Sequence, residues 1–428
     1  MLRLAFALGT RPEAIKLAPL YHALRHRSDR FRVRLWTTGQ HRELLEPVLT
    51  FFRLVPDRSG PCGDVDLGRN FACLVETLAA WLASEAVDAL VVQGDTLTAF
   101  AGAFVGFLRQ LPVLHVEAGL RTGQRFAPFP EEMLRRLLGV IADIHFAPTP
   151  RVAATLLREG VPRDRVVVTG NTVVDALQMA RSWLARPAME RALCERLDLC
   201  NPDDVHRPWI LVTAHRRENI GEPLKGICRA VERLAIAHPE AVFLWSLHRN
   251  PAVRAAVLRE FAHAPPNVRL VEAFSYPEMI YLLERCAVVL TDSGGIQEEA
   301  PTFGTPVLVL GQSTERDEAV EAGFADIVGT DPARIVAAFD EVYGDPTRRQ
   351  RLLAQPNPYG DGRACERILA LLDDDDVQAF FRTYREDPHR DLALPRRCSE
   401  FRVLPADEGP NAEMAAGSTA ERGFLAPQ

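Results

Sequence analysis

Short apolar runs alternate with amphipathic stretches along most of this chain, and that alternation restricts the fold more than any other feature. Runs at residues 2–8, 32–38, 89–93, 113–117, 144–147 and 166–169 read as strands. A second series follows at 210–213, 242–246, 268–271, 288–291, 306–310 and 326–328. These runs are apolar on both faces, the pattern of parallel strands covered by helices. Helical periodicity fills the gaps, as at 98–108, 131–141, 152–158, 224–235 and 332–342. The expected class is α/β, with two Rossmann-like, doubly wound domains facing across a cleft.

A chain of 428 residues is long enough for two such domains. Residues 181–207 hold no strand candidate but several charges and prolines, so the joint falls near them. The domains are placed at 1–172 and 173–372, with a hinge at 171–175 and helical material at 182–197. A last helix at about 362–372 is placed to pack back on the first domain. Past Leu372 the apolar periodicity is lost, and 388–428 reads as a disordered tail. The formal net charge is −7, with most of the excess in 373–428. A near-neutral body excludes nucleic-acid binding by bulk charge. The longest apolar run, 97–108, is too short to span a bilayer, and no cleavage pattern follows the apolar start. Eight scattered cysteines, without C-x-x-C or metal-like spacing, read as small core residues in a reducing compartment. A soluble, cytoplasmic protein with no membrane or nucleic-acid partner is expected.

Ligands of open α/β sheets bind beyond the carboxyl ends of the strands, so the residues just after each strand carry the functional information. After the first strand, Gly9-Thr10-Arg11-Pro12-Glu13 turns into a helix whose start offers amide N–H groups to an anion. Arg11 adds charge there, and Lys16 stands about one turn on. Lys16 and Lys225 are the only lysines among 50 basic residues, so a compact ammonium at position 16 suits a phosphate contact. Asp95, Glu117 and Glu131 end strands or open helices on the same side. One acid at such a place is ordinarily a helix cap. Three converging on one crevice raise one another's pKa and supply both a base and an acid.

In the second array His215, Arg216 and Arg217 follow a strand, an arrangement suited to an anion, and His248 ends the next. The strongest local signal is Thr291-Asp292-Ser293-Gly294-Gly295-Ile296-Gln297-Glu298-Glu299. A strand, a hydroxyl and two glycines open a helix there, so Ser293, Gly294 and Gly295 can cradle a pyrophosphate while Glu299 reaches ribose hydroxyls. Arg316 adds a cation after the following strand. Neither a Walker A loop nor G-x-G-x-x-G occurs, which leaves ATPase chemistry and a bound NAD without a motif.

Residues 9–20, 94–96, 115–123, 128–132, 170–175, 215–218, 291–300, 314–320 and 358–362 together resemble the non-hydrolysing UDP-N-acetylglucosamine 2-epimerases. The resemblance runs in order over about residues 1–370. It implies a glycosyltransferase-B-like fold with UDP held mainly by the second domain. It implies reversible interconversion of UDP-GlcNAc and UDP-ManNAc for surface polysaccharide or cell-wall precursors, without metal or nicotinamide cofactor, in a homodimer. By this resemblance Asp95, Glu117, Glu131 and His215 are catalytic, and Arg11, Lys16, Arg216, Ser293, Gly294, Gly295, Glu299 and Arg316 contact the UDP-sugar. Gln40, His41 and His248 fall in segments where some members bind a second UDP-GlcNAc as an activator.

The sequence departs from the family pattern around these residues. Leu134 stands where an Asn follows Pro-Glu-Glu, Met279 replaces a Phe near the uracil, and Gln93 replaces a His. Gly311 replaces an Arg, and Asp317 a Pro. Three other readings share part of the motif set: a hydrolysing epimerase releasing ManNAc and UDP, a glycosyltransferase using a UDP-sugar donor, and a non-catalytic nucleotide-sugar sensor. The transferase reading leaves three carboxylates with little to do.

Overall fold

The computed structural model describes residues 1–63, 66–126, 128–184, 186–197 and 207–386. The first sheet contains β1 (Leu2–Leu8), β2 (Phe31–Thr37), β3 (Arg58–Ser59), β4 (Ala89–Gln93), β5 (Val113–Val116), β6 (Ile144–Ala147) and β7 (Val166–Val168). Its spatial order is β3-β2-β1-β4-β5-β6-β7, with every pair parallel. The second contains β8 (Trp209–Thr213), β9 (Val242–Leu247), β10 (Val268–Glu272), β11 (Val288–Thr291), β12 (Val307–Val309) and β13 (Ala325–Ile327). It is also parallel, in the order β10-β9-β8-β11-β12-β13. Both orders reverse beside their first strand, so each sheet has a switch point, between β1 and β4 and between β8 and β11.

The alternation of side chains along a strand sorts the core. Leu4, Phe6 and Leu8 of β1 join Trp209 and Leu211 of β8 in one apolar cluster that runs through both lobes. Ala5 and Ala7 face the opposite layer with Leu74, Leu78 and Val105, while Ile210 and Val212 face Ile227, Val231 and Phe339. The twelve expected strands are all present; the two-residue edge strand β3 is additional, and too short to show any period.

Helix Leu97–Leu108 is apolar on every side and is started by Thr96, whose hydroxyl accepts from the Ala99 amide. Such a helix belongs between layers. Its inner face lies on the sheet and Phe100 stacks on Phe71 at 5.3 Å, yet Phe107 and Leu108 remain exposed.

Two expectations are corrected. The stretch after Leu372 is not aperiodic: Asp375–Glu386 is a helix that buries Val377, Phe380 and Phe381. Asp374 accepts from the Asp376 and Val377 amides at its start, so the aspartate run is a cap. Burying Phe381 alone stabilises the packing by about 2–3 kcal/mol. The expected tail, 388–428, lies outside the described residues. Second, Cys62 and Cys73 are joined in a disulfide, with Cα atoms 5.8 Å apart, and are not reduced core thiols. Cys194, Cys228, Cys286 and Cys365 are buried and free, as expected of small core residues.

The joint is built by the chain's return. Helix Ala364–Asp373 packs on Arg11–His26 and Thr172–Trp183. Asp175 accepts from the amides of Ala364 and Cys365, and the Asn171 amide donates to the Tyr359 carbonyl.

Candidate active site

The turn after β1 directs two of its amides inward. Glu13 is fully buried and accepts from the Gly9 amide (2.8 Å), the Thr10 amide (2.7 Å) and the Thr10 hydroxyl, so the chain's own carboxyl is an acceptor at this helix start. Burial pushes the Glu13 carboxyl up to about 7, against the pull of Thr96, Gly9 and Thr10. The expected anion site at Gly9–Glu13 thus loses two of its amides, Gly9 and Thr10, to Glu13, while Arg11 and Lys16 stand on the same helix. Gly9 is required by close approach: a Cβ on it would lie 2.3 Å from the Thr98 hydroxyl.

Lys16 sits on the inner side of that helix and reaches both lobes. Its ammonium binds the Glu117 carboxylate and donates to Glu298 at 2.8 Å. Burial opposes the charge, but Glu117 and Glu298 outweigh it and raise the Lys16 pKa. Glu117 follows β5 with a φ of 62°, a left-handed backbone rare outside glycine. Such strain persists where the surroundings over-determine a side chain's position. Burial pushes the Glu117 carboxyl up; Glu298 and Asp95 push the same way, and Lys16 opposes them.

Asp95 follows β4 and accepts from Arg135 at 2.6 Å. Glu131 opens helix Glu131–Ile141, one turn before Arg135. The neighbouring Glu132 is fully buried and accepts from the Thr122 amide (2.9 Å) and from Arg136, which pins the loop after β5. The motif around Glu131 contains Glu132 and Arg135 but assigns them no role; the structure gives each one, Arg135 on Asp95 and Glu132 on the loop after β5.

Across the cleft, Asp292 is a buried hub. It accepts from the His215 and Arg216 amides and from the Asn219 side chain, and its carboxylate lies 3.3 Å from His215 Nδ1. His215 stacks on His248 at 4.8 Å with the rings nearly parallel, so the two expected histidines do meet. Burial, then His215, lowers the His248 pKa, and Arg11 adds to the effect.

A charge chain continues from Arg216 to Glu315 (3.0 Å), Glu315 to Arg316 (2.8 Å) and Arg316 to Glu298 (2.8 Å). Burial opposes ionisation of Glu315, but Arg316 and Arg216 hold it down at about 2. Lys16 and Arg316 likewise hold Glu298 below the usual carboxylate range despite its burial. The Arg316 guanidinium lies against Gly294, where a Cβ would come within 2.8 Å of it.

Helix Gly294–Glu299 begins at Ser293, whose amide donates to the Thr291 hydroxyl. The expected three-amide cradle is thus reduced to Gly294 and Gly295. Glu299 is buried, and burial pushes its carboxyl up to about 7 against Arg11 and Lys16. Glu298, to which the motif assigns no role, ties the lobes together. Its period gave no warning, because Glu298 and Glu299 share one short helix.

Of the expected regulatory residues, Gln40 is buried and accepts from the Thr98 hydroxyl at 2.8 Å, a structural bond. His41 starts helix Arg42–Phe51, its own amide donating to the Gly9 carbonyl. Among the departures, Leu134 and Gln93 are buried, and Asp317 pairs with Arg151 at 2.9 Å, a further link between the lobes. Among the described residues no cluster of His, Cys, Asp or Glu is arranged to hold a metal ion, and no helix is long and apolar enough to cross a membrane.

Residues 22–373 match the family model described as UDP-N-acetylglucosamine 2-epimerase. The chain belongs to the UDP-N-acetylglucosamine 2-epimerase family. The UDP-N-acetylglucosamine 2-epimerase of Salmonella typhimurium is 43% identical over 367 residues, covering 85% of this chain and 96% of that protein. The crystal structure of UDP-GlcNAc 2-epimerase from Neisseria meningitidis bound to UDP-GlcNAc superposes with a TM-score of 0.80 at 38% identity, covering 87% of this chain and 99% of that one. The Methanocaldococcus jannaschii UDP-GlcNAc 2-epimerase in complex with UDP-GlcNAc and UDP gives 0.73 at 30% identity, over 87% and 99%. The enzyme is an isomerase by family, with the two-sheet architecture of these structures.

Proposed function

We propose that this isomerase interconverts UDP-GlcNAc and UDP-ManNAc by eliminating UDP and adding it back through a 2-acetamidoglucal. The observation that carries this reading is the cluster in which Lys16 ties a strained, buried Glu117 to Glu298 across the cleft, with Asp95 beside it. The hydrogen at C2 of the sugar has no adjacent carbonyl to stabilise a carbanion. Its removal becomes feasible when the anomeric C–O bond breaks in the same sequence. A carboxylate takes the C2 proton, the C–H electrons form the C1–C2 double bond, and UDP departs with the C–O electron pair. Re-addition delivers a proton to the opposite face of C2 while a UDP oxygen rebonds to C1.

Asp95, Glu117 and Glu131 are the proton carriers in this scheme, and His215 lies at the developing diphosphate with Arg11, Lys16, Arg216 and Arg316. Gly294 and Gly295 give their amides to phosphate oxygens, Ser293 its hydroxyl, and Glu299 takes ribose hydroxyls. The domains 1–172 and 173–372 close about 171–175, keeping water from the glycal. Full retention of the glycal separates this reading from hydrolysis to ManNAc and UDP.

Incubation with UDP-GlcNAc in D2O tests the proposal. Deuterium at C2 of the recovered UDP-sugars, with UDP-ManNAc formed, is the expected result. Free ManNAc with stoichiometric UDP would mean hydrolysis, and no exchange at all would sink both readings.

We further propose a homodimer through the exposed Phe107, Leu108, Leu137 and Val140, carried by two packed helices of the first lobe. Light scattering of Val140→Glu should show a monomer where the parent chain shows a dimer.

A further inference from the structure

A buried phenol at the contact between the lobes, that of Tyr276, has no hydrogen-bond partner. Tyr276 opens helix Tyr276–Arg285 in the second lobe; it is 5% exposed, and its hydroxyl makes no hydrogen bond. Buried tyrosine hydroxyls ordinarily find a partner, because burying an uncompensated O–H is unfavourable. The helix start gives it no local task, since Ser275 and Glu278 already close a capping box there. Nor is the ring free to turn away. It packs against Phe52 at 5.7 Å and Phe51 at 6.2 Å, both from the first lobe.

Charges close enough to act on the hydroxyl identify its surroundings. They are Glu299 and Arg11, the carboxylate expected at the ribose and a cation expected at the diphosphate. Burial first, then Glu299, keeps the phenol protonated far above neutral pH, so it can serve as a neutral donor. A ribose hydroxyl is the group that satisfies both neighbours at once. Its oxygen accepts from the phenol, and its own O–H donates to the Glu299 carboxylate.

We propose that Tyr276 is a nucleotide-binding residue whose hydroxyl donates to a ribose hydroxyl shared with Glu299, and that it favours ribonucleotides over their deoxy forms. This rests on the UDP-sugar reading of the cleft. The test is calorimetric titration of the full-length protein and its Tyr276→Phe variant with UDP, 2′-deoxy-UDP and 3′-deoxy-UDP, beside melting of both unliganded proteins.

The variant should bind UDP about tenfold more weakly. With one of the two deoxy nucleotides, parent and variant should bind alike, because the missing ligand hydroxyl has already removed the bond. Unliganded, Tyr276→Phe should melt no lower than the parent, since it only deletes an uncompensated buried hydroxyl. Equal UDP affinity in both proteins would overturn the assignment, as would the same tenfold loss with all three nucleotides. A parent chain that bound no UDP would instead overturn the functional reading and this proposal with it, so the two failures are distinguishable.

Discussion

Glu298→Gln isolates the contact that ties the lobes together. The parent carboxylate is nearly fully buried and meets Lys16 and Arg316, each at 2.8 Å. Removing one partner of a buried ion pair costs about 3–5 kcal/mol, because the charge left behind has no solvent to turn to. Two features reduce that here. Lys16 keeps Glu117 and Arg316 keeps Glu315, and the glutamine still offers one acceptor oxygen. The expected loss is about 2–3 kcal/mol, or about 5–10 °C in Tm for lobes of this size. Saturation with UDP at about a hundred times its Kd should add about 2.7 kcal/mol to the parent. It should add more to the variant, since the diphosphate replaces the negative charge between the same two cations. Thermal melting of both proteins with and without UDP reads all four values. A variant that melts within a degree or two of the parent, or an equal UDP increment in both, would refute the claim that Glu298 holds Lys16 and Arg316 in place.

Glu117→Gln and Asp95→Asn should each lower epimerisation by about 10²–10⁴-fold while UDP still binds, as coupled assay and calorimetry would report; loss of binding along with turnover would make these acids structural. Glu13 has a folded pKa of about 7 against an ordinary 4.5, so its contribution to stability is complete below about pH 4.5 and is lost as pH rises through 7. Denaturant melts between pH 5 and 8 should show that decline, on the order of 3 kcal/mol, flattened in Glu13→Gln. Reducing the Cys62–Cys73 bond, which closes a loop of eleven residues' separation, should lower stability by about 3 kcal/mol. An identical melt in dithiothreitol would show that the reduced pair is held just as well.

Strand identities were legible because a buried parallel strand announces itself by an uninterrupted apolar run, which needs no knowledge of its neighbours. Ile144–Ala147 and Val288–Thr291 could be read from four residues each. The helix Asp375–Glu386 was not legible, since a run of four aspartates looks like solvated charge whereas Asp374 within it caps the helix. The candidate site was legible as motifs and opaque as contacts. Gly9–Glu13 looked like an anion site from its turn and its prolyl helix start; that Glu13 takes two of its amides depends on a side chain folding back three and four residues.

The sequence by itself determined which runs form strands and, to within a residue, where each ends, and hence which acids and cations follow the strands. Local hydrophobic period and turn chemistry suffice for that. Only the tertiary structure decided partners. Lys16 and Glu298 are 282 residues apart, and Cys62 meets Cys73 of helix Leu67–Ser84 at a spacing that carries no motif. An ion pair or a disulfide depends on angstrom-scale distance between side chains, and that distance is set by how two sheets pack, which no run of neighbouring residues encodes.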